Sequence, residues 1–168
     1  MQHSHQVAVI GHALGVIRNT LYDGHVNPDR IAVLGAFHDM GEVFTGDMPT
    51  PIKYFNPDIR KAFSEIERRS EQRLFEMVPQ ELQEEYKNIF FPAKTDTEHL
   101  RLVKAADTIS AYLKCLEEVN VGNLEFSSAL KSIEDKLKKL ELPEVEYFLE
   151  TFVPSFSLTL DELTEKGI

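Results

Sequence analysis

Cysteine occurs once in this sequence, at Cys115, and basic residues are outnumbered by acidic ones, 18 Lys and Arg against 28 Asp and Glu. A lone thiol excludes any intramolecular disulfide. The formal charge of −10 repels phosphate backbones and anionic lipid, so neither a nucleic-acid polymer nor a membrane is an expected partner. No apolar run approaches the roughly 18 to 20 residues of a membrane span. Gly and Pro, 8 of each, are too few for a collagen-like or low-complexity chain. The residues from Met1 to His12 lack the basic start and long apolar core of a signal peptide, which together with the single thiol points to a reducing cytoplasm. Neither a phosphate-binding P-loop, a Gly-rich dinucleotide fingerprint, a Cys-based zinc motif nor a Gly-x-Ser-x-Gly elbow occurs. What remains is 168 residues, 42% of them apolar, enough to bury one core, so a single domain over residues 1–168 is expected.

The apolar residues that are present recur at helical spacing. At 100° per residue, His3, Val7, Ile10, Leu14, Ile17 and Leu21 share one stripe of a first helix. Asn27-Pro28 pairs a capping side chain with the residue favoured at the first helical position, and Ile31, Leu34, Gly35 and His38 form the stripe of a second helix ending near His38. Gly41 to Pro57, rich in Gly, Pro and polar residues, reads as a structured loop. Asn56-Pro57 repeats the capping signal and opens a charged helix to about Met77, and Pro79 starts a shorter piece to about Phe90. Leu102, Ala106, Ile109, Leu113 and Leu116 mark a core helix from about Thr97 to Val121, stopped by Gly122. Two shorter helices, near Leu124 to Leu140 and Pro143 to Phe152, follow, and no segment alternates with period two. The fold class is therefore all-α.

Several polar residues stand on or beside these stripes. His38 closes the second stripe, where a titratable ring needs hydrogen-bonding or metal partners to offset desolvation. His3 lies in the first stripe and is expected to point inward, whereas His5 and His12 share the opposite face. Asp107, four residues after Val103 and four before Ala111, flanks the core stripe on a helix expected at the centre of the domain, so it is expected to be buried, and a nearby Lys is its ordinary partner. Taken singly, these are a buried His, a solvated terminal His and a paired Asp. Together, His3, His38, Asp39 and Asp107 offer two imidazoles and two carboxylates, a set that suits a divalent transition metal and leaves positions for water and substrate. Metal-assisted phosphoester hydrolysis follows from those donors more naturally than redox chemistry. Glu42, one helical turn beyond Asp39, is placed to orient or deprotonate water, or to protonate a leaving oxygen. The segment Gly46-Asp47-Met48-Pro49-Thr50-Pro51 is a restrained loop whose amides, Asp47 carboxylate and Thr50 hydroxyl could grip a ligand. Cys115, between Leu113 and Leu116, reads as a buried, inert thiol.

The ordered set His3, His38-Asp39 and Asp107 resembles the H…HD…D signature of the HD phosphohydrolase superfamily. The strings HSHQVA, FHDMGEVFTGDMPTPIKYFN, KAADTISAYLKCLEE and FVPSFSLTLDEL resemble its bacterial 5'-deoxynucleotidase branch, and the likeness runs from residue 2 to about residue 163. The resemblance implies an HD-domain helical bundle with a metal site between core helices, and hydrolysis of deoxyribonucleoside 5'-monophosphates to deoxynucleoside and phosphate. It implies His3, His38, Asp39 and Asp107 as metal ligands and Glu42 as the catalytic acidic residue. Substrate contacts are implied at His3, Asp39 and Asp107 and along Asp47, Met48, Pro49 and Thr50. Activation by cobalt or manganese, a homodimeric state, preference for the deoxyribose over the ribose sugar and a place in nucleotide salvage complete the picture. Members of that branch carry a few dozen residues before the first His, with an Arg-Trp pair that touches substrate. This sequence has no Trp, and Arg18 follows the ligand His rather than preceding it, so a chain without the pair is expected to hold metal and turn over slowly. Two other readings stay open: a different HD-type nucleotide phosphohydrolase, and a degenerate HD nucleotide-binding module without turnover.

Overall fold

Capping chemistry sets the helix boundaries. The computed structural model describes residues 2–46, 48–49, 52, 55–158 and 160–165, and every regular element among them is helical. Besides short 3-10 turns, the described α-helices in chain order are α1 (Gln2–Leu21), α2 (Pro28–Phe37), α3 (Glu42–Thr45), α4 (Pro57–Glu76), α5 (Gln83–Phe90), α6 (Thr97–Asn120), α7 (Ser127–Lys138), α8 (Pro143–Thr151) and α9 (Leu160–Glu165). Asn27 Oδ1 accepts the Arg30 N–H at 3.1 Å and Asn56 Oδ1 accepts the Ile59 N–H at 2.8 Å, so both Asn-Pro signals open helices as expected. Beyond α6, Gly122 adopts φ 91°, a left-handed conformation that costs a glycine little; its N–H bonds the Val119 carbonyl while the Asn123 N–H bonds that of Glu118. The four-residue α3 lies where a loop was expected, and α9 was not anticipated; neither is long enough to display a helical period. None of the described helices is long and apolar enough to cross a membrane.

The described residues fall into two compact units, residues 1–35 with 98–168 and residues 36–97. The first is built around α6, whose Leu102, Ala105, Ala106, Ile109 and Leu113 are fully buried. Val7, Ile10, Leu14 and Ile17 of α1, Ile31 and Leu34 of α2, Leu137 of α7, and Val145 and Phe148 of α8 join the same core. Each fully buried aliphatic side chain contributes about 1.5 to 3 kcal/mol, which is why the apolar stripe outweighs the polar residues beside it. Glycines allow α1 and α2 to approach closely: a Cβ on Gly35 would lie 3.2 Å from Ala8 Cα, and one on Gly15 would lie 2.9 Å from Ile31 Cδ1. Arg18 of α1 donates to the buried Glu144 of α8 and to Glu98 of α6, each at 2.9 Å, tying three helices together.

In the second unit, Phe63 is the buried apolar anchor of α4. The rings of Phe75, Phe90 and Phe91 pack edge-on or tilted, with centroids 5.3 to 6.2 Å apart, and pin α5 to the end of α4. Gly41 lies against α4, where a Cβ would come within 3.3 Å of Glu71 Cγ. Glu65 accepts from both Arg68 and Arg69, and these two guanidinium groups hold its exposed carboxyl down at about 2.

Candidate functional site

Within the first unit, His3 stands on the opening turn of α1 and Asp107 near the middle of α6. His3 Nε2 lies 3.3 Å from Asp107 Oδ1. The other ring nitrogen, Nδ1, is hydrogen-bonded to Ser110 Oγ at 3.0 Å, and that hydroxyl donates to Gln6 Oε1 at 2.8 Å. Lys104 donates to Asp107 Oδ2 at 2.6 Å, the Lys partner foreseen for this carboxylate.

Two expectations need correction here. His3 does not point into the core: its side chain is 44% exposed, because the buried stripe begins one turn later at Val7. Leu21, at the other end of that stripe, is also exposed. Asp107, expected to be buried, keeps 24% of its side chain exposed. Both residues occupy the rim where α1 and α6 leave the packed interior.

Within the second unit, α2 ends at Phe37, and the turn that follows presents His38 and Asp39. His38 Nε2 is 2.9 Å from Asp39 Oδ2, and the ring is 14% exposed, as expected for a His closing an apolar stripe. The Glu42 N–H donates to the Asp39 carbonyl at 3.0 Å, which fixes Glu42 one turn further on; the Gly46 N–H then closes α3 on the Glu42 carbonyl at 2.8 Å. Gly46 has φ 65°, so the chain leaves α3 through another left-handed glycine. Of the loop residues singled out from sequence, Met48 is half-buried and Pro49 exposed, with the Pro49 carbonyl accepting from Ile52 at 2.8 Å. Asp47 and Thr50 lie outside the described residues.

The donor chemistry of the two His–Asp pairs can be tested against a metal. Two atoms bound to one ion at about 2.1 Å, with angles of roughly 90 to 110°, lie about 3.0 to 3.4 Å apart. The His3–Asp107 separation of 3.3 Å lies within that span, and the His38–Asp39 separation of 2.9 Å falls just short of its lower end. Imidazole nitrogen with carboxylate oxygen is also a donor combination that first-row divalent ions accept. Cys115, in contrast, is buried, and burial pushes its thiol above the ordinary value, so it takes no part in this chemistry.

A family model described as 5'-deoxynucleotidase YfbR-like matches residues 1–156. The chain belongs to the YfbR-like 5'-deoxynucleotidase family. It is 52% identical over 163 residues to a 5'-deoxynucleotidase of Photobacterium profundum, a match that covers 97% of this chain and 84% of that protein. A 5'-deoxynucleotidase of Pectobacterium atrosepticum is 48% identical over 164 residues, covering 98% and 82%. Among solved structures, an HD-domain phosphohydrolase of Listeria innocua superposes with a TM-score of 0.77 at 22% identity, over 96% of this chain and 78% of that one. That likeness establishes the HD-type all-helical fold.

Sequence reasoning missed Gln6 and Ser110. Each stands three residues after a proposed ligand, His3 and Asp107 respectively, on the same helical face, and that spacing was the available signal.

Proposed function

We propose that this chain hydrolyses deoxyribonucleoside 5'-monophosphates to deoxynucleoside and phosphate, using a divalent metal held by His3, His38, Asp39 and Asp107. The observation that carries the reading is the donor spacing within each His–Asp pair, 3.3 and 2.9 Å, on the residues that match the HD signature. When bound, a divalent ion supplies Lewis acidity, neutralising phosphoryl oxygens and acidifying water. The mixed imidazole and carboxylate set favours cobalt or manganese over a hard, all-oxygen preference such as that of magnesium.

The chain's own residues supply the rest. Glu42, held one turn after Asp39 by the backbone bond between them, takes a proton from the attacking water or returns one to the leaving 5'-oxygen. Asp47, Met48, Pro49 and Thr50 form the loop that contacts the nucleotide, with Asp47 and Thr50 offering a carboxylate and a hydroxyl suited to a sugar hydroxyl. Hydrolysis proceeds in the cytoplasm, in a homodimer that serves nucleotide salvage.

The test combines elemental analysis with phosphate release. The purified chain, loaded with cobalt or manganese, should release phosphate from deoxyribonucleoside 5'-monophosphates faster than from ribonucleotides. His38→Ala should lose the ion because the remaining donors cannot satisfy it. Unchanged metal content in His38→Ala, or turnover confined to triphosphates, would overturn the reading.

A further inference from the structure

Ser110 has one hydroxyl proton and two neighbours that compete for it. Its side chain is 2% exposed, so bulk water does not share in the arrangement. On one side stands the Gln6 amide oxygen at 2.8 Å, an acceptor only; on the other stands His3 Nδ1 at 3.0 Å, which accepts or donates according to tautomer. The hydroxyl donates to Gln6, and its oxygen is then left to accept. His3 Nδ1 must therefore carry a proton, which leaves Nε2, the atom facing Asp107 Oδ1 at 3.3 Å, as the ligating nitrogen.

We propose that Gln6 and Ser110 are positioning residues, a two-link hydrogen-bond chain that sets the His3 tautomer and ring orientation for metal binding. This rests on the ligand role proposed for His3. The polarity of the chain runs from the ring to the hydroxyl to the amide oxygen, so the acceptor at Gln6 decides the outcome. Without it, the Ser110 proton turns toward Nδ1, the ring proton moves to Nε2, and the nitrogen that faces Asp107 can no longer ligate. Partners of this kind on metal-bound imidazoles are typically worth about 10- to 100-fold in affinity.

Two measurements test this. The first is read on the unsubstituted protein: long-range ¹⁵N–¹H correlation spectra of metal-free chain at mildly alkaline pH, with the His3 ring assigned by its loss in His3→Ala. Nδ1 should read as protonated; an unprotonated Nδ1 with the proton on Nε2 would overturn the proposal. The second is calorimetric titration with manganese. Ser110→Ala and Gln6→Leu should bind at least about tenfold more weakly, while Gln6→Glu, which keeps an acceptor and adds a negative charge, binds at least as tightly as the unsubstituted chain. Wild-type affinity in both Ser110→Ala and Gln6→Leu also sinks the proposal. The ligand reading fails separately, if His3→Ala itself binds manganese at full strength.

Discussion

Replacing Arg18 with Met removes the partner of a carboxylate that water does not reach. Glu144 is 1% exposed and its Oε1 accepts from Arg18 Nη1 at 2.9 Å, while Arg18 Nη2 reaches Glu98 Oε2 at the same distance. The two arms of this fork are unequal. Glu98 keeps 49% of its side chain in solvent, so its arm is worth no more than about 1 kcal/mol. Breaking a buried pair from one side costs about 3 to 5 kcal/mol, because the other charge is left uncompensated; the partial exposure of Arg18 lets water relieve some of this and favours the lower figure. At an m-value of about 2 kcal/mol per molar urea, a loss of about 3 kcal/mol moves the unfolding midpoint down by about 1.5 M. The same loss lowers Tm by about 6 to 12 °C. Glu98→Gln should shift the midpoint by less than about 0.5 M. The double variant Arg18→Met, Glu144→Leu should recover most of the loss, since apolar replacements leave no buried charge behind. A cost below about 1 kcal/mol for Arg18→Met, or an equal cost whether or not Glu144 is present, would refute the reasoning.

Three further outcomes follow from the geometry. Gly35→Ala puts a methyl against the Ala8 backbone at 3.2 Å, where nothing can swing aside, and should cost about 1 kcal/mol net of the gain in helix propensity, read by urea denaturation. Glu71 has its carboxyl pushed above the ordinary 4.5 by burial first and by the neighbouring Glu67 second, so the folded state binds more protons there than the unfolded chain does. Its contribution is therefore lost as pH rises from about 4.5 through the raised value, and Glu71→Gln should flatten that part of the stability curve and raise stability at pH 7. Lys104→Met removes a cation 2.6 Å from Asp107 Oδ2 and should tighten manganese binding severalfold, about 1 kcal/mol for a partly solvated charge; unchanged or weaker binding would count against Asp107 as a ligand.

The helical stripes were legible because burial is periodic and the period is written in the residues. Leu102, Ile109 and Leu113 recur as a buried helix face must, and each is fully buried. The Asn-Pro openings and the Gly122 stop were legible for a different reason, that capping is local chemistry between residues a few positions apart. Contacts between distant residues leave no such trace. Arg18 and Glu144 are 126 positions apart and Gln6 and Ser110 are 104 apart, and only the three-dimensional packing of α1, α6 and α8 joins them. The misplacement of His3 is the instructive error. Extending the α1 stripe one turn backwards assumes that the core continues beneath it, yet burial begins at Val7 and the turn before it stands at the rim. The proposed metal centre would have to meet a substrate arriving by diffusion, and donors for that purpose belong where helices emerge from the core rather than within it. Periodicity reports burial, and it stops reporting at the turn that carries the polar, solvent-reachable His3; Asp107, 24% exposed beside a buried stripe, shows the same departure on α6.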